Sequence, residues 1–216
     1  MRAAVLGAND GILSVASVAL GVAASGAGRT AVATAGVAAL SAGAMSMAAG
    51  EWVSVSSQRD TENADLALEE SELEANPDAE LRELSQIYVD RGLSPELADQ
   101  VARELTAHDA LQAHARDELG LDEERRARPL QAALASAASF SSGAILPLLA
   151  AIVLGKSLRI PICVIVAVVM LVLLGDIGAR LGGAPRTRAI ARVTGWGLLA
   201  MGVTAGVGAI AGTVAG

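Results

Sequence analysis

Apolar residues in this chain gather into five long runs, at approximately residues 3–25, 30–57, 130–154, 160–181 and 189–214. A bilayer core about 30 Å thick is crossed by roughly 20 apolar residues in helical form, so each run predicts a membrane span. The first run follows Met1-Arg2 directly and is too long for the apolar core of a secretory signal, which makes it a span too. Tight glycine-containing turns, Gly26-Ala27-Gly28-Arg29, Leu154-Gly155-Lys156-Ser157 and Gly182-Gly183-Ala184-Pro185, join neighbouring runs into antiparallel hairpins. Small residues recur along the runs: Gly36, Gly43 and Gly50 are seven apart, and Gly202/Gly206 and Gly208/Gly212 are four apart. Such faces let backbones approach closely, within a bundle or across a dimer.

Between the second and third runs the pattern changes to polar residues with a helical period. The second run is expected to continue as a helix past Arg59 to about Glu74, broken by Asn76-Pro77-Asp78. A second helix should end at Arg91-Gly92, and Ser94-Pro95-Glu96 opens a third, with serine at the cap and proline in the first turn. Leu97, Val101 and Leu105, spaced i, i+4, i+8, predict the buried stripe of that helix, and a last stretch runs from about Asp109 to Leu119. The pattern therefore predicts an all-α, polytopic membrane protein with five transmembrane helices and an inserted helical domain. Its parts are residues 1–57 (first two spans), 58–128 (acidic helical domain) and 129–216 (last three spans).

Charge sharpens this picture. Of 23 acidic residues, 20 fall in residues 60–124, so the net charge of −7 is an average over a strongly acidic block and nearly neutral flanks. With no basic stripe to meet phosphates, nucleic acid is excluded as a partner. Arg2, Arg59, Arg125, Arg126, Arg128, Arg180, Arg186, Arg188 and Arg192 lie at the ends of spans on the acidic-block side, against Arg29, Lys156 and Arg159 on the other. The positive-inside rule then puts the amino terminus and the acidic domain in the cytoplasm and the carboxy terminus outside, with Trp52 and Trp196 at the inner interface. The lone Cys163 cannot form a disulfide within the chain and reads as a small buried hydrophobe. No nucleophile–base pair, phosphate loop or cofactor motif is visible, so an enzyme and a prosthetic group are not expected.

Three features carry candidate chemistry. Glu69/Glu72 and Glu80/Glu83 are three apart and share a helix face, where like charges repel unless a cation sits between them. His114 and Glu118, four apart, can point a nitrogen and an oxygen at one place. Oxygen donors with one imidazole suit Mg²⁺, Mn²⁺ or Fe²⁺ better than copper, although acidic helices are commonly just solvated faces. Finally, Asp10, Glu51 and Asp176 lie in or beside the spans, where an ionised group costs at least about 2.5–3.5 kcal/mol at mid-bilayer. Asp10 is the deepest; Glu51 and Asp176 sit near the inner interface. Met45 and Met47 can pack, or offer a thioether to a passing cation.

Asn9-Asp10-Gly11, the run Ala42-Gly43-Ala44-Met45-Ser46-Met47-Ala48-Ala49-Gly50-Glu51, and Asp117-Glu118-Leu119-Gly120 together resemble the vacuolar iron transporter family, in order and spacing over nearly the whole chain. The resemblance implies five membrane helices, a cytoplasmic metal-binding domain after the second, and a homodimer embedded in lipid. It implies export of Fe²⁺, often Mn²⁺ too, from the cytoplasm with protons as counter-ion. By position it assigns metal binding to Glu69, Glu72, Glu80, Glu83 and Glu118, and the translocation path to Asp10 and Met47, with Glu51 at its inner end. Plant members place a methionine pair where this chain has His114 and Ala115, which adds His114 to the candidate ligands. Ala3 and Ala39 stand where some members carry further acids. The host membrane expected is the plasma membrane for a bacterial chain and the vacuolar membrane for a eukaryotic one. Two other classes are compatible with the residues: a Mg²⁺ channel or transporter, and a membrane-anchored metal buffer or sensor that moves no ion.

Overall fold

The computed structural model describes residues 2–121 and 126–215, with side-chain surroundings for 4–121 and 126–214. Arg125, counted above for orientation, lies outside the described residues, as does the side chain of Arg2. Seven helices and no strand occur among the described residues: α1 (Arg2–Ala24), α2 (Arg29–Ala75), α3 (Pro77–Asp90), α4 (Pro95–Asp117), α5 (Pro129–Val153), α6 (Lys156–Gly182) and α7 (Arg186–Ala215). Five of them, α1, α2, α5, α6 and α7, are long and apolar enough to cross a membrane. The protein is an all-α, multi-pass membrane protein. The chain divides into two compact units, one of residues 1–52 with 130–216 and one of residues 53–129.

In the first unit α1 is the central helix. Ile12, Ala16, Ala19 and Leu20 pack with Ala151 of α5, Cys163, Ala167 and Leu171 of α6 and Met201 of α7. On another face of α1, Val15 joins Phe140, Ala144 and Leu148 of α5, with Met47 of α2 packed against them. Lipid tails are as apolar as leucine, so close backbone packing rather than hydrophobic burial must hold these helices together. Glycine makes the close packing possible. A Cβ at Gly208 of α7 would fall 1.9 Å from the carbonyl oxygen of Gly21 of α1, and one at Gly43 would meet the Phe140 ring at 2.2 Å. Gly202 and Gly206 face open space, so only the Gly208/Gly212 pair is spent inside the chain.

The second unit is a small helical assembly whose core is Leu84, Ala102 and Ala113, lined by Leu81, Tyr88 and Leu105. Full burial of Leu84 contributes about 2 kcal/mol. Ser94 caps α4 by accepting from the Leu97 N–H at 3.4 Å, and Asn76 starts α3 through its carbonyl, which accepts from the N–H groups of Ala79 and Glu80. The expected Leu97–Val101–Leu105 stripe is only partly covered: Leu105 packs against this core and Val101 is half-buried. Leu97 is exposed, whereas Ala98 and Ala102 are fully buried. The methyl side chains let α3 and α4 approach more closely than leucines would, so the contact selects the alanine row one position along.

Candidate metal centre

Glu69 comes from α2, Glu80 from α3 and His114 from α4, with Glu118 as the residue that closes α4. One backbone break sets the phase of the last pair. Asp109 has extended backbone (φ −163°, ψ 99°) inside α4, and its carboxylate accepts from the Gln112 N–H at 2.9 Å. The helix thus restarts at a capping aspartate, so His114 and Glu118 are aimed independently of the Ala98/Ala102 face. A second device fixes the end of that segment. Tyr88 Oη donates to Asp117 Oδ2 at 2.6 Å, and Arg91 donates to the Asp117 carbonyl at 2.9 Å while also pairing with its carboxylate. These bonds tie the end of α3 to the residue before Glu118. Burial alone would raise the Asp117 pKa, but the Tyr88 and Arg91 hydrogen bonds and charges hold it below the ordinary range.

Within this frame the His114 imidazole is fully buried, and its Nδ1 lies 3.0 Å from Glu69 Oε1 and 3.0 Å from Glu118 Oε2. Glu69 is 2% exposed. Ligand atoms of Glu69, Glu80 and His114 all lie within 4.8 Å of one another. One ring nitrogen cannot satisfy two carboxylates. Nδ1 bonds Glu118, while Glu69 Oε1 is left without a hydrogen bond, as is the buried Nε2 of the same ring. With the proton on Nε2, the Nδ1 lone pair would instead face two anions. A dication between Nδ1 and the two oxygens removes the conflict. Donors about 2.1 Å from an octahedral ion are spaced about 3.0 Å apart, which is the separation of Nδ1 from each of the two oxygens.

The electrostatics agree with the geometry. Burial pushes the Glu69 carboxyl above its ordinary pKa, with Glu118, Glu80 and Glu72 adding to the rise and His114 opposing it. Glu80 is raised in the same way, by burial first and then by Glu83, with Glu72 and Glu118 contributing. Glu72 and Glu83 are exposed and stand outside the tight cluster; they act on it through charge. Sequence reasoning named the residues that the fold brings together here but missed Tyr88 and Arg91, whose roles depend on contacts distant in sequence. An aromatic and a basic residue at the end of one acidic helix were the only signal.

The first unit holds the remaining candidates. Asp10 is exposed on the surface of the single chain, and only its carbonyl is engaged, accepting from Ser14 Oγ at 2.7 Å. Met47 is half-buried against the Phe140 cluster, and Glu51 is half-buried without an ion pair among the described residues. Asp176 is no free acid. It pairs with Arg180 at 2.8 Å and with Arg186, bracing the corner between α6 and α7 where Gly183 turns with φ 66°.

Comparison with known proteins fits this arrangement. The profile of the VIT family matches residues 1–209. A protein named vacuolar iron transporter from Acanthamoeba castellanii is 46% identical over 215 residues, covering 99% of this chain and 79% of that one. Vacuolar iron transporter homolog 5 of Oryza sativa subsp. japonica is 40% identical over 208 residues, covering 96% and 78% of the two chains. Vacuolar iron transporter homolog 2 of Arabidopsis thaliana is 37% identical over 208 residues, covering 96% and 82%. With a full-length profile match and relatives aligned across all five spans and the acidic unit between them, the chain belongs to the VIT family, a family of transporters rather than enzymes.

Proposed function

We propose that this protein exports Fe²⁺ and/or Mn²⁺ from the cytoplasm in exchange for protons, working as a homodimer. Ions are collected by Glu69, Glu80, Glu118 and His114, with Glu72 and Glu83 supplying surrounding negative charge. Asp10 and Met47 then carry them through the membrane, with Glu51 at the inner entrance. The observation that carries this reading is the buried His114 Nδ1, 3.0 Å from two carboxylate oxygens that no other cation neutralises among the described residues. Carboxylates plus one imidazole make a donor set suited to borderline and hard dications, and the relatives' names point to iron. A nitrogen donor is of little use to Mg²⁺, which prefers oxygen and retained water.

The dimer rests on Asp10. Its side chain is exposed on a single chain at a depth where an ionised group needs water, a proton or a protein partner. The spanning part of α2 is 11% buried, less than α7 at 17% or α6 at 22%, and this most open of the spans is the face we assign to the second copy. For a bacterial chain the membrane is the plasma membrane; for a eukaryotic one it is the vacuolar membrane.

Purified full-length protein in sealed proteoliposomes, with Fe²⁺, Mn²⁺ and Mg²⁺ supplied in parallel, tests the reading. Uptake of iron or manganese, accelerated by an opposing proton gradient, is expected. Uptake of magnesium alone would replace the reading with a Mg²⁺ transporter, and metal binding without uptake would replace it with a buffer.

A further inference from the structure

Arg159 lies in the first turns of α6, at the end of the bundle where α5 and α6 are joined by Leu154 and Gly155. It is 5% exposed, and its Nε is enclosed without a hydrogen-bond partner. A guanidinium stays protonated in proteins, so burial cannot be relieved by losing the charge. Among the described residues no side chain of this unit pairs with it. Residues 11–50, 129–175 and 177–216 contain no aspartate or glutamate, and among the described residues no carboxylate lies within ion-pairing distance of Arg159. Asp176, the acid on the same helix, is held by Arg180 and Arg186 nearly five turns away.

The surroundings of Arg159 are built for an anion. Helix side chains lean toward the amino terminus of their helix, which for Arg159, the fourth residue of α6, is that helix's first turn. That turn has Gly155 at its cap with no side-chain cap, and the Leu158 and Arg159 N–H groups both turn back to the Gly155 carbonyl. The N–H groups of Lys156 and Ser157 are left pointing out of the helix end, where the helix dipole favours negative charge. Lys156 and Ser157 are exposed beside them. By span length, a two-residue turn between two membrane helices is expected at the depth of lipid headgroups.

We propose that this end of α6 binds a phosphate group, held by the Arg159 guanidinium, the Lys156 ammonium, the Ser157 hydroxyl and the free N–H groups of the first turn. A phospholipid headgroup and inorganic phosphate share that chemistry. Either would neutralise Arg159 at the bundle end remote from Asp10. The site is separate from the acidic cluster and does not depend on which metal ion is moved.

Delipidated full-length protein in detergent is offered dioleoylphosphatidylglycerol, dioleoylglycerol or inorganic phosphate. Retained lipid is counted by native mass spectrometry, and thermal melting is followed. Wild type should retain one phosphatidylglycerol more than Arg159→Gln, should not retain dioleoylglycerol at that site, and should melt higher with the phospholipid than the variant does. A melting rise with inorganic phosphate that is lost in Arg159→Gln, without extra lipid retained, supports the site with free phosphate as its source. Equal lipid counts and equal melting shifts in wild type and variant would overturn the proposal. If Arg159→Gln is not recovered folded, the double variant Lys156→Gln/Ser157→Ala changes only exposed side chains. It should bind the same probe at least threefold more weakly, and unchanged binding there would overturn the proposal equally.

Discussion

His114 is the residue on which the proposed collection site turns, because its Nδ1 faces two carboxylates 3.0 Å away. Its place in the fourth helix was legible as a nitrogen paired with Glu118 one turn on. Its contact with Glu69 was not, since that depends on how α2 and α4 meet. We expect His114→Ala to weaken Mn²⁺ binding to the full-length protein at least tenfold by calorimetry, a loss of about 1.4 kcal/mol or more. Glu69 and Glu80 titrate above their ordinary value of 4.5 because burial and neighbouring carboxylates favour the neutral form. Mn²⁺ must displace those protons, so its affinity should climb as pH rises through the interval above 4.5 and level off beyond it. The same raised values stabilise the metal-free fold below the ordinary glutamate pKa, and that contribution is lost as pH rises through the raised one. Metal-free protein should therefore melt lower at neutral than at mildly acidic pH; Asp117, lowered from 3.8, changes its contribution only below that value and leaves this comparison untouched. Added Mn²⁺ should restore the loss at neutral pH. An affinity independent of pH would mean that these carboxyls are not ligands.

At the scale of elements, the apolar runs and turn signals located all seven helices, because span length and proline–glycine punctuation are local properties. The separate final stretch expected from about Asp109 matches the break inside α4. The buried face of the preceding segment was only partly located, with Leu105 covered and Leu97 exposed, because which of two neighbouring rows is covered depends on the partner helix. Small-residue spacing likewise could not tell an internal contact from an open one. Gly208 lies against the backbone of α1, whereas Gly195 on the same helix has nothing within 4 Å. Gly208→Ala should lower thermal stability by about 1–3 kcal/mol or more, since backbone must shift to admit the methyl. Gly195→Ala should leave it unchanged or raise it by up to about 1 kcal/mol, through helix propensity. Equal effects from both would refute the packing of α1 on α7. Tyr88→Phe removes one hydrogen bond to Asp117 and should cost about 1 kcal/mol. It should also weaken metal binding several-fold, as the end of α4 that carries Glu118 loosens.

For the whole molecule, segregation of acid from apolar sequence announced a membrane protein with an inserted acidic helical region, and the resemblance pointed to the family to which the chain belongs. The proposed route places collection and translocation in different units of the chain, so the two should be separable by mutation. Asp10→Asn keeps size and hydrogen-bonding capacity while removing the charge, and it leaves every residue of the His114 cluster in place. The direct test is Fe²⁺ and Mn²⁺ uptake into proteoliposomes carrying this variant, with metal binding measured on the same preparation. The account predicts uptake reduced at least tenfold, with Mn²⁺ affinity at the acidic cluster within about twofold of wild type, a difference under about 0.5 kcal/mol. Wild-type uptake by Asp10→Asn would contradict it.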